Sequence, residues 1–269
     1  MEIDAEQLRA FRERIWDYYR DYGRDLPWRH EPTPYQVFVS EVMLQQTQVS
    51  RVLERYPRWL KRFVDFEALA AASVAEALAE WQGLGYNRRA LWLRAAAERV
   101  VNEWGGQLPR DPAQLVTLPG VGPNTAGSIA AFAYDEPTVF IETNIRRVFL
   151  HEFLGDREGV ADAELRPLIA AALDREQPRQ WYYALMDYGA ALAKQVPNPN
   201  RRSKHYNVQS KFEGSLRQLR GEVLRQLLAG PMAAADLTAA MSDERLPAVM
   251  TTLVAEGFVV ITADGYRLA

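Results

Sequence analysis

The chain has 269 residues, 48% of them hydrophobic, enough to bury the core of one large domain or two ordinary ones without metals or disulfides. Its formal net charge is −3, so bulk charge gives no hint of nucleic acid, and any DNA surface must be a local basic patch. It has no cysteine, which excludes disulfides, Cys-ligated zinc, thiol catalysis and an ordinary Cys-ligated iron–sulfur cluster. No apolar run approaches the roughly 18 residues needed to span a bilayer. The acidic, amphipathic N-terminus does not read as a signal peptide. A soluble, cytoplasmic protein with no membrane partner is expected.

Leu8, Phe11, Ile15, Trp16 and Tyr19 recur at helical spacing and predict a helix over 5–22, closed by Gly23. A Pro-punctuated extended segment, LPWRHEPTPY, follows. Residues 35–63 read as two helices broken near Tyr56–Pro57, and 66–81 as another, interrupted by Gly83 and Gly85. RRALWLRAAAERVVNEW is helical and stops at Gly105–Gly106. Helical patterns continue at 112–117, 123–134, 143–153, 162–175 and 178–193, and no convincing strand pattern precedes residue 195. Residues 196–213 are rich in Pro, Asn, Arg and Lys and read as a basic linker between a core (1–195) and a C-terminal domain (214–269). That last segment reads as three helices and a hairpin turning at Asp264–Gly265, the layout of a winged helix. There is no internal repeat.

The sharpest local signal is LPGVGPNTAG, residues 118–127. Gly120 and Gly122 allow a tight turn, Leu118 and Val121 can anchor it from beneath, and Pro123 suits the first turn of the next helix. Such a turn points backbone amides at a helix N-terminus, which binds a phosphate without reading sequence. A bare GxG is more often an ordinary helix corner. In SEVMLQQTQV, residues 40–49, Glu41, Gln45 and Gln48 fall at i, i+4 and i+7, one polar stripe on an otherwise apolar helix. Half-buried groups of this kind cost free energy unless they pair or work.

Together these strings resemble the helix-hairpin-helix DNA glycosylases, and the MutY adenine glycosylases in particular. The resemblance covers roughly residues 5–195 and implies a mostly α fold: two helical lobes with a DNA cleft, the Gly120–Gly122 turn with Thr125 gripping the backbone, and hairpin carbonyls able to hold a monovalent cation. SEVMLQQTQV matches nearly letter for letter and makes Glu41 the catalytic acid. A carboxylic acid with a raised pKa protonates purine N7, while a second carboxylate stabilises the oxocarbenium-like sugar. In TVFIETNIRRVF the family's Asp position holds Glu142, one methylene longer, followed by Thr143 and a supporting Asn144. Such a displacement of about 1 Å can cost on the order of 100-fold in rate. A plain helix-terminal acid is the competing reading of Glu142. Bifunctional members carry a lysine where this chain has Asn124, so a monofunctional enzyme is expected.

The target base must be flipped out of the duplex. GLGYNRRA resembles the MutY GLGYYxRA segment, making Tyr86, Leu84 and Gln46 the wedge or stacking residues. LPWR places Trp28 and Arg29 with Gln45 and Asn124 at the base pocket. Arg88, Arg89, Arg146, Arg147, Arg201, Arg202 and Lys204 are the candidate backbone cations. LMDYGAALAKQVPNPNRR resembles the segment leading into the MutY cluster loop, but Ala193 stands where the cysteines begin. No cofactor, no metal, and a monomer acting on double-stranded DNA that holds a mismatched or damaged base are expected. Adenine opposite 8-oxoguanine or guanine is the leading substrate. Thymine or uracil opposite guanine, and a lesion-binding protein that does not cut, are the alternatives. The apolar helix at 244–257 suits packing or a partner better than DNA reading.

Overall fold

The computed structural model describes residues 4–269. In chain order the helices are α1 (Ala5–Tyr22), α2 (Pro34–Leu44), α3 (Val49–Arg62), α4 (Phe66–Ala70), α5 (Val74–Trp81), α6 (Arg88–Trp104), α7 (Pro112–Leu115), α8 (Pro123–Tyr134), α9 (Thr143–Phe153), α10 (Asp162–Ala172), α11 (Pro178–Gln195), α12 (Leu216–Ala229), α13 (Ala234–Met241) and α14 (Leu246–Ala255). Strands β1 (Val259–Thr262) and β2 (Gly265–Leu268) close the chain. The chain divides into two compact units. One comprises residues up to 41, 109–117 and 121–208; the other comprises 42–108, 118–120 and 209–269.

In the first unit α11 packs on α1 and α9, and α9 on α10. Phe11, Ile15, Phe149 and Trp181 fill the centre, with Phe11 edge-on to Phe149 at 5.5 Å and to Trp181 at 6.0 Å. Burying each of these large side chains contributes about 2–3 kcal/mol. The stretch read as a basic linker begins tied to this unit. Val160 N–H donates to the Arg202 carbonyl and Lys204 N–H to the Val160 carbonyl, both at 2.9 Å. Asn200 Nδ2 donates to the Thr143 carbonyl and Arg202 to the Leu150 carbonyl. Its asparagines and prolines therefore build a 3₁₀ turn (Pro199–Arg202) stitched to α9, not a free tether.

In the second unit α4 and α5 pack on α6, and Trp59 lies edge-on to Trp81 at 5.4 Å. The helix expected over 66–81 is split at Ser73, which caps α5 reciprocally with Glu76, a break visible in the S-x-x-E spacing. The break expected at Tyr56–Pro57 lies instead between Leu44 and Val49, and Pro57 sits inside α3. Arg89 gives the reason. Its buried guanidinium takes the carbonyls of Val42 (2.9 Å), Met43 (3.0 Å) and Gln45 (2.5 Å), which the end of α2 would otherwise leave unpaired. α12 packs on α5, α14 and β2, and α14 on β1. The hairpin register is Val259↔Leu268 to Thr262↔Gly265, so its two-residue loop is Ala263–Asp264, one residue earlier than expected. Gly265 (φ +136°) is needed because the Met232 carbonyl, paired with Tyr266, lies 2.2 Å from where a Cβ would sit.

Candidate active site

Glu41 lies three residues before the end of α2 and is only partly exposed. Ser128, on the small-residue face of α8, places its hydroxyl 2.6 Å from Glu41 Oε2 and 3.0 Å from the Thr125 carbonyl. Desolvation, opposed by the Ser128 hydrogen bond and reinforced by the negative charge of Glu142, pushes the Glu41 carboxyl up to about 7. Near neutral pH Glu41 is thus divided between acid and carboxylate, the state a general acid requires. The serine suits both forms. Its proton goes to Oε2 when Glu41 is ionised and to the Thr125 carbonyl when Glu41 is protonated and itself the donor.

Glu142 is the N-cap of α9. Oε1 accepts from the backbone N–H of Asn144 (2.7 Å) and Ile145 (2.8 Å), and Oε2 from Asn144 Nδ2 (3.2 Å). The extra methylene expected to displace this carboxylate is taken up by folding the side chain back onto the helix end. Glu142 caps a helix, and its carboxyl also lies within Coulombic reach of Glu41. Burial holds its own pKa above the usual carboxylate value, a rise that the two backbone N–H groups, Arg147 and Arg146 offset only in part. Asn144 Oδ1 accepts from Arg147 Nη1 at 2.6 Å, and the same nitrogen donates to the Gly189 carbonyl at 2.7 Å. A side chain at 189 would sit 2.6 Å from the Asn144 carbonyl, so α11 approaches α9 closely only through glycine.

Several expected site residues have partners within the fold. Trp28 is buried in the 3₁₀ turn Pro27–Arg29. Arg29 forms a two-pronged pair with Asp187 at 2.8 and 2.9 Å and stacks 4.4 Å over the Tyr183 ring. Burial raises the Asp187 carboxyl, but Arg29 and Arg24 outweigh it and hold the group below its usual range. Both prongs of Arg29 are therefore spent within the fold. Asn124 Oδ1 accepts from Ile141 N–H (3.1 Å) and from Arg166 (3.3 Å), so the lysine position of bifunctional relatives here braces the strand-like approach to Glu142. Arg146 pairs with Asp162 at 2.7 Å, and Arg147 and Arg202 are bound to carbonyls, so three of the seven expected DNA cations have partners within the fold.

In the LPGVG turn Gly120 is left-handed (φ +76°), and a Cβ there would lie 2.8 Å from the Trp92 ring. Gly122 differs from expectation. It is extended (φ −88°), caps α8 without a side chain, and a Cβ there would meet nothing within 4 Å. It leaves open space next to the first turn of α8, which carries Thr125. Leu118 and Val121 are buried, so Val121 can meet a ligand only through its backbone.

The expected polar stripe Glu41–Gln45–Gln48 does not lie on one helix. α2 ends at Leu44 and Gln48 caps α3. Between them Gln46 is exposed and left-handed (φ +53°), and Tyr86, exposed at the end of the GLGY turn, is left-handed too (φ +47°). Non-glycine residues seldom hold this conformation, and such strain clusters at functional sites. Leu84, expected as a third wedge, is buried at 2% exposure beneath the turn. Arg88 pairs with Glu256 at 2.5 Å, and Arg89 is enclosed among backbone carbonyls.

A family model described as HhH-GPD superfamily base excision DNA repair protein matches residues 39–166. An adenine DNA glycosylase of Mycobacterium tuberculosis is 34% identical over 279 aligned positions, covering 92% of this chain and 90% of that protein. The chain belongs to the HhH-GPD superfamily of base excision DNA repair proteins. A mouse adenine DNA glycosylase is 36% identical over 82% of this chain and 44% of its own length. The structure of a thermostable thymine-DNA glycosylase superposes with a TM-score of 0.62 at 26% identity, covering 69% of this chain and 87% of that one.

Three residues of this HhH-GPD chain carry little or no signal in the sequence. Ser128 sits in an alanine-rich helix; a lone hydroxyl on a buried face was its only signal. Asp187 carries no signal of its own in the sequence, though a buried acid demands a partner. Arg217 lies outside the region of resemblance, and no sequence signal points to its contact with Tyr86.

Proposed function

We propose that this protein hydrolyses the N-glycosidic bond of adenine mispaired in double-stranded DNA, opposite 8-oxoguanine or guanine. The observation that carries the reading is the Glu41–Ser128 pair, a carboxyl tuned to about 7 within Coulombic reach of the Glu142 carboxyl. The adenine DNA glycosylases at 34–36% identity support the choice of base.

Protonated Glu41 gives its proton to purine N7, and the C1′–N9 electron pair leaves with the base. Glu142 stabilises the positive sugar. Water adds its oxygen to C1′, and its released proton returns to a carboxylate. Asn124 supplies no amine, so no Schiff base forms and the strand is left uncut. The chain has no cysteine to ligate an iron–sulfur cluster.

The test is a single-turnover panel of duplexes bearing adenine opposite 8-oxoguanine, guanine or cytosine, and thymine or uracil opposite guanine, read with and without alkali. Alkali-dependent cleavage at adenine supports the reading. Cleavage only at thymine or uracil moves the substrate class toward that of the thymine-DNA glycosylase neighbour. Tight binding without cleavage makes the protein a lesion sensor.

A further inference from the structure

The second unit contains a groove of about 900 Å³ that none of the catalytic residues lines. One wall is the two strained turns, with Gln46 and Tyr86; the other is α12 and the residues just before it. Five arginines line it (Arg51, Arg88, Arg217, Arg220 and Arg225) against a single carboxylate, Glu256. Glu256 is shared between Arg88 and Arg220, and Arg225 is matched by Glu222 outside the lining. Arg51 and Arg217 have no carboxylate partner among the described residues. In a chain of net charge −3, this is a focused positive site.

Its aromatic groups are equally distinctive. Phe212 is 61% exposed and Tyr86 37% exposed, both on the groove. Arg217 donates to the Tyr86 hydroxyl at 3.0 Å and to the Ser210 carbonyl at 2.6 Å, with its guanidinium 5.8 Å from the Tyr86 ring centre. The C-terminal segment thus holds the strained tyrosine in place. Exposed rings set beside arginines that no carboxylate neutralises, here Arg51 and Arg217, suit single-stranded nucleic acid: phosphates take the cations and unstacked bases take the ring faces. The volume falls within the range of small-ligand sites and leaves room for more than a side chain.

We propose that this groove is a second DNA-binding site, which takes unpaired nucleotides of a DNA strand with their phosphates on Arg51 and Arg217 and a base against Phe212. The proposal rests on the reading of the chain as a DNA-binding repair enzyme, though not on which base it removes. It gives the C-terminal segment a function in strand binding through α12 and Phe212.

The test is fluorescence anisotropy with the full chain, comparing a fully paired duplex with the same duplex carrying two unpaired thymidines. Wild-type protein binds the bulged duplex more tightly. Phe212→Ala loses about tenfold on the bulged duplex alone, the lower range for one stacked base, and Phe212→Tyr keeps the affinity. Arg51→Ala with Arg217→Ala lowers the salt slope on the bulged duplex by about 1.4, two single-strand phosphates' worth. Arg9→Ala, outside the groove, is the charge control, and thermal midpoints check folding. Equal binding of both duplexes, or groove variants that bind like wild type, overturns the proposal. Equal weakening on both duplexes also overturns it, because the groove then holds only paired backbone. Loss of excision on the base panel with these affinity effects intact removes the proposed activity and leaves the groove standing.

Discussion

Ser128 Oγ lies 2.6 Å from Glu41 Oε2, and the two residues come from helices 87 positions apart in sequence. The hydroxyl stabilises the ionised form of a carboxylate that burial alone would push higher, so Ser128 sets how much acid Glu41 retains at a given pH. It is a positioning residue that acts through Glu41.

Ser128→Ala removes that stabilisation and raises the Glu41 pKa above about 7. The acid form then persists to higher pH, and the falling limb of the single-turnover excision profile moves to alkaline pH. At pH 6 the loss stays under about tenfold, because the acid itself, worth about 100- to 10,000-fold, is kept. Ser128→Thr, which retains the hydroxyl, restores the wild-type limb. An unmoved limb in the alanine variant would disconnect the serine from the titration.

Glu41→Gln trades activity for stability. The folded-state pKa of Glu41 is raised above its unfolded value, so the folded protein binds the extra proton and ionisation penalises the fold. The penalty is absent below about 4.5, grows as pH rises, and is complete above about 7. At pH 8 the glutamine variant is therefore more stable by about 2–3 kcal/mol, and the gap closes on acidification. Denaturant unfolding at pH 5 and pH 8 reads the difference; a gap that is the same at both would contradict the burial of this charge. Excision in the variant falls by at least about 100-fold.

Much of this was legible in the sequence. Helix positions followed from apolar spacing, and Glu41, Glu142 and the LPGVG turn from motif strings. What failed did so for tertiary reasons. Pro57 was read as a break because a proline forfeits a helix hydrogen bond. The real break came from Arg89, 44 residues beyond Gln45, drawing in the carbonyls at the end of α2. Arg29 reads as a base-pocket residue, and Arg146 and Arg147 as backbone cations, because sequence does not show which acid or carbonyl will face an arginine. The pairings to Asp187, Asp162 and Gly189 span 158, 16 and 42 positions.

Arg89 holds both strained turns of the second unit, through carbonyls at Gln45, Leu84 and Gly85 and the Thr47 hydroxyl. Burial lowers its pKa to about 10, which leaves it charged at neutral pH. Arg89→Met strands these acceptors and costs about 3 kcal/mol or more in denaturant unfolding, since each charged hydrogen bond contributes about 1.5–3 kcal/mol. Arg89→Lys recovers only part, having no planar fork to span the two turns. A loss under 1 kcal/mol, on the order of one neutral hydrogen bond, would show that the carbonyls find other partners.

Glu142→Asp keeps an N-cap acceptor, because Asp and Glu both carry the carboxylate and Asp is a preferred cap. It is expected to fold as wild type and to excise within about tenfold of it. Glu142→Ala loses the cap, at about 1 kcal/mol, together with the charge that faces the sugar. It also removes the Coulombic push on Glu41, so the Glu41 pKa falls. Excision by the alanine variant is strongly reduced, and any residual activity has its falling limb shifted to acid. Retention of wild-type rates would reduce Glu142 to a cap.

The two turn glycines separate folding from binding. Gly120→Ala puts a Cβ 2.8 Å from the Trp92 ring at φ +76°, and it should destabilise the protein by about 1–2 kcal/mol. Gly122→Ala meets no neighbour and keeps φ at −88°, so stability should change by less than about 0.5 kcal/mol. If DNA backbone approaches the first turn of α8 through the space Gly122 leaves, this second, structurally silent change weakens duplex binding by tenfold or more, about 1.4 kcal/mol of lost contact. Anisotropy titration of both variants decides it. Wild-type affinity in Gly122→Ala would mean that the glycine turn serves only the fold.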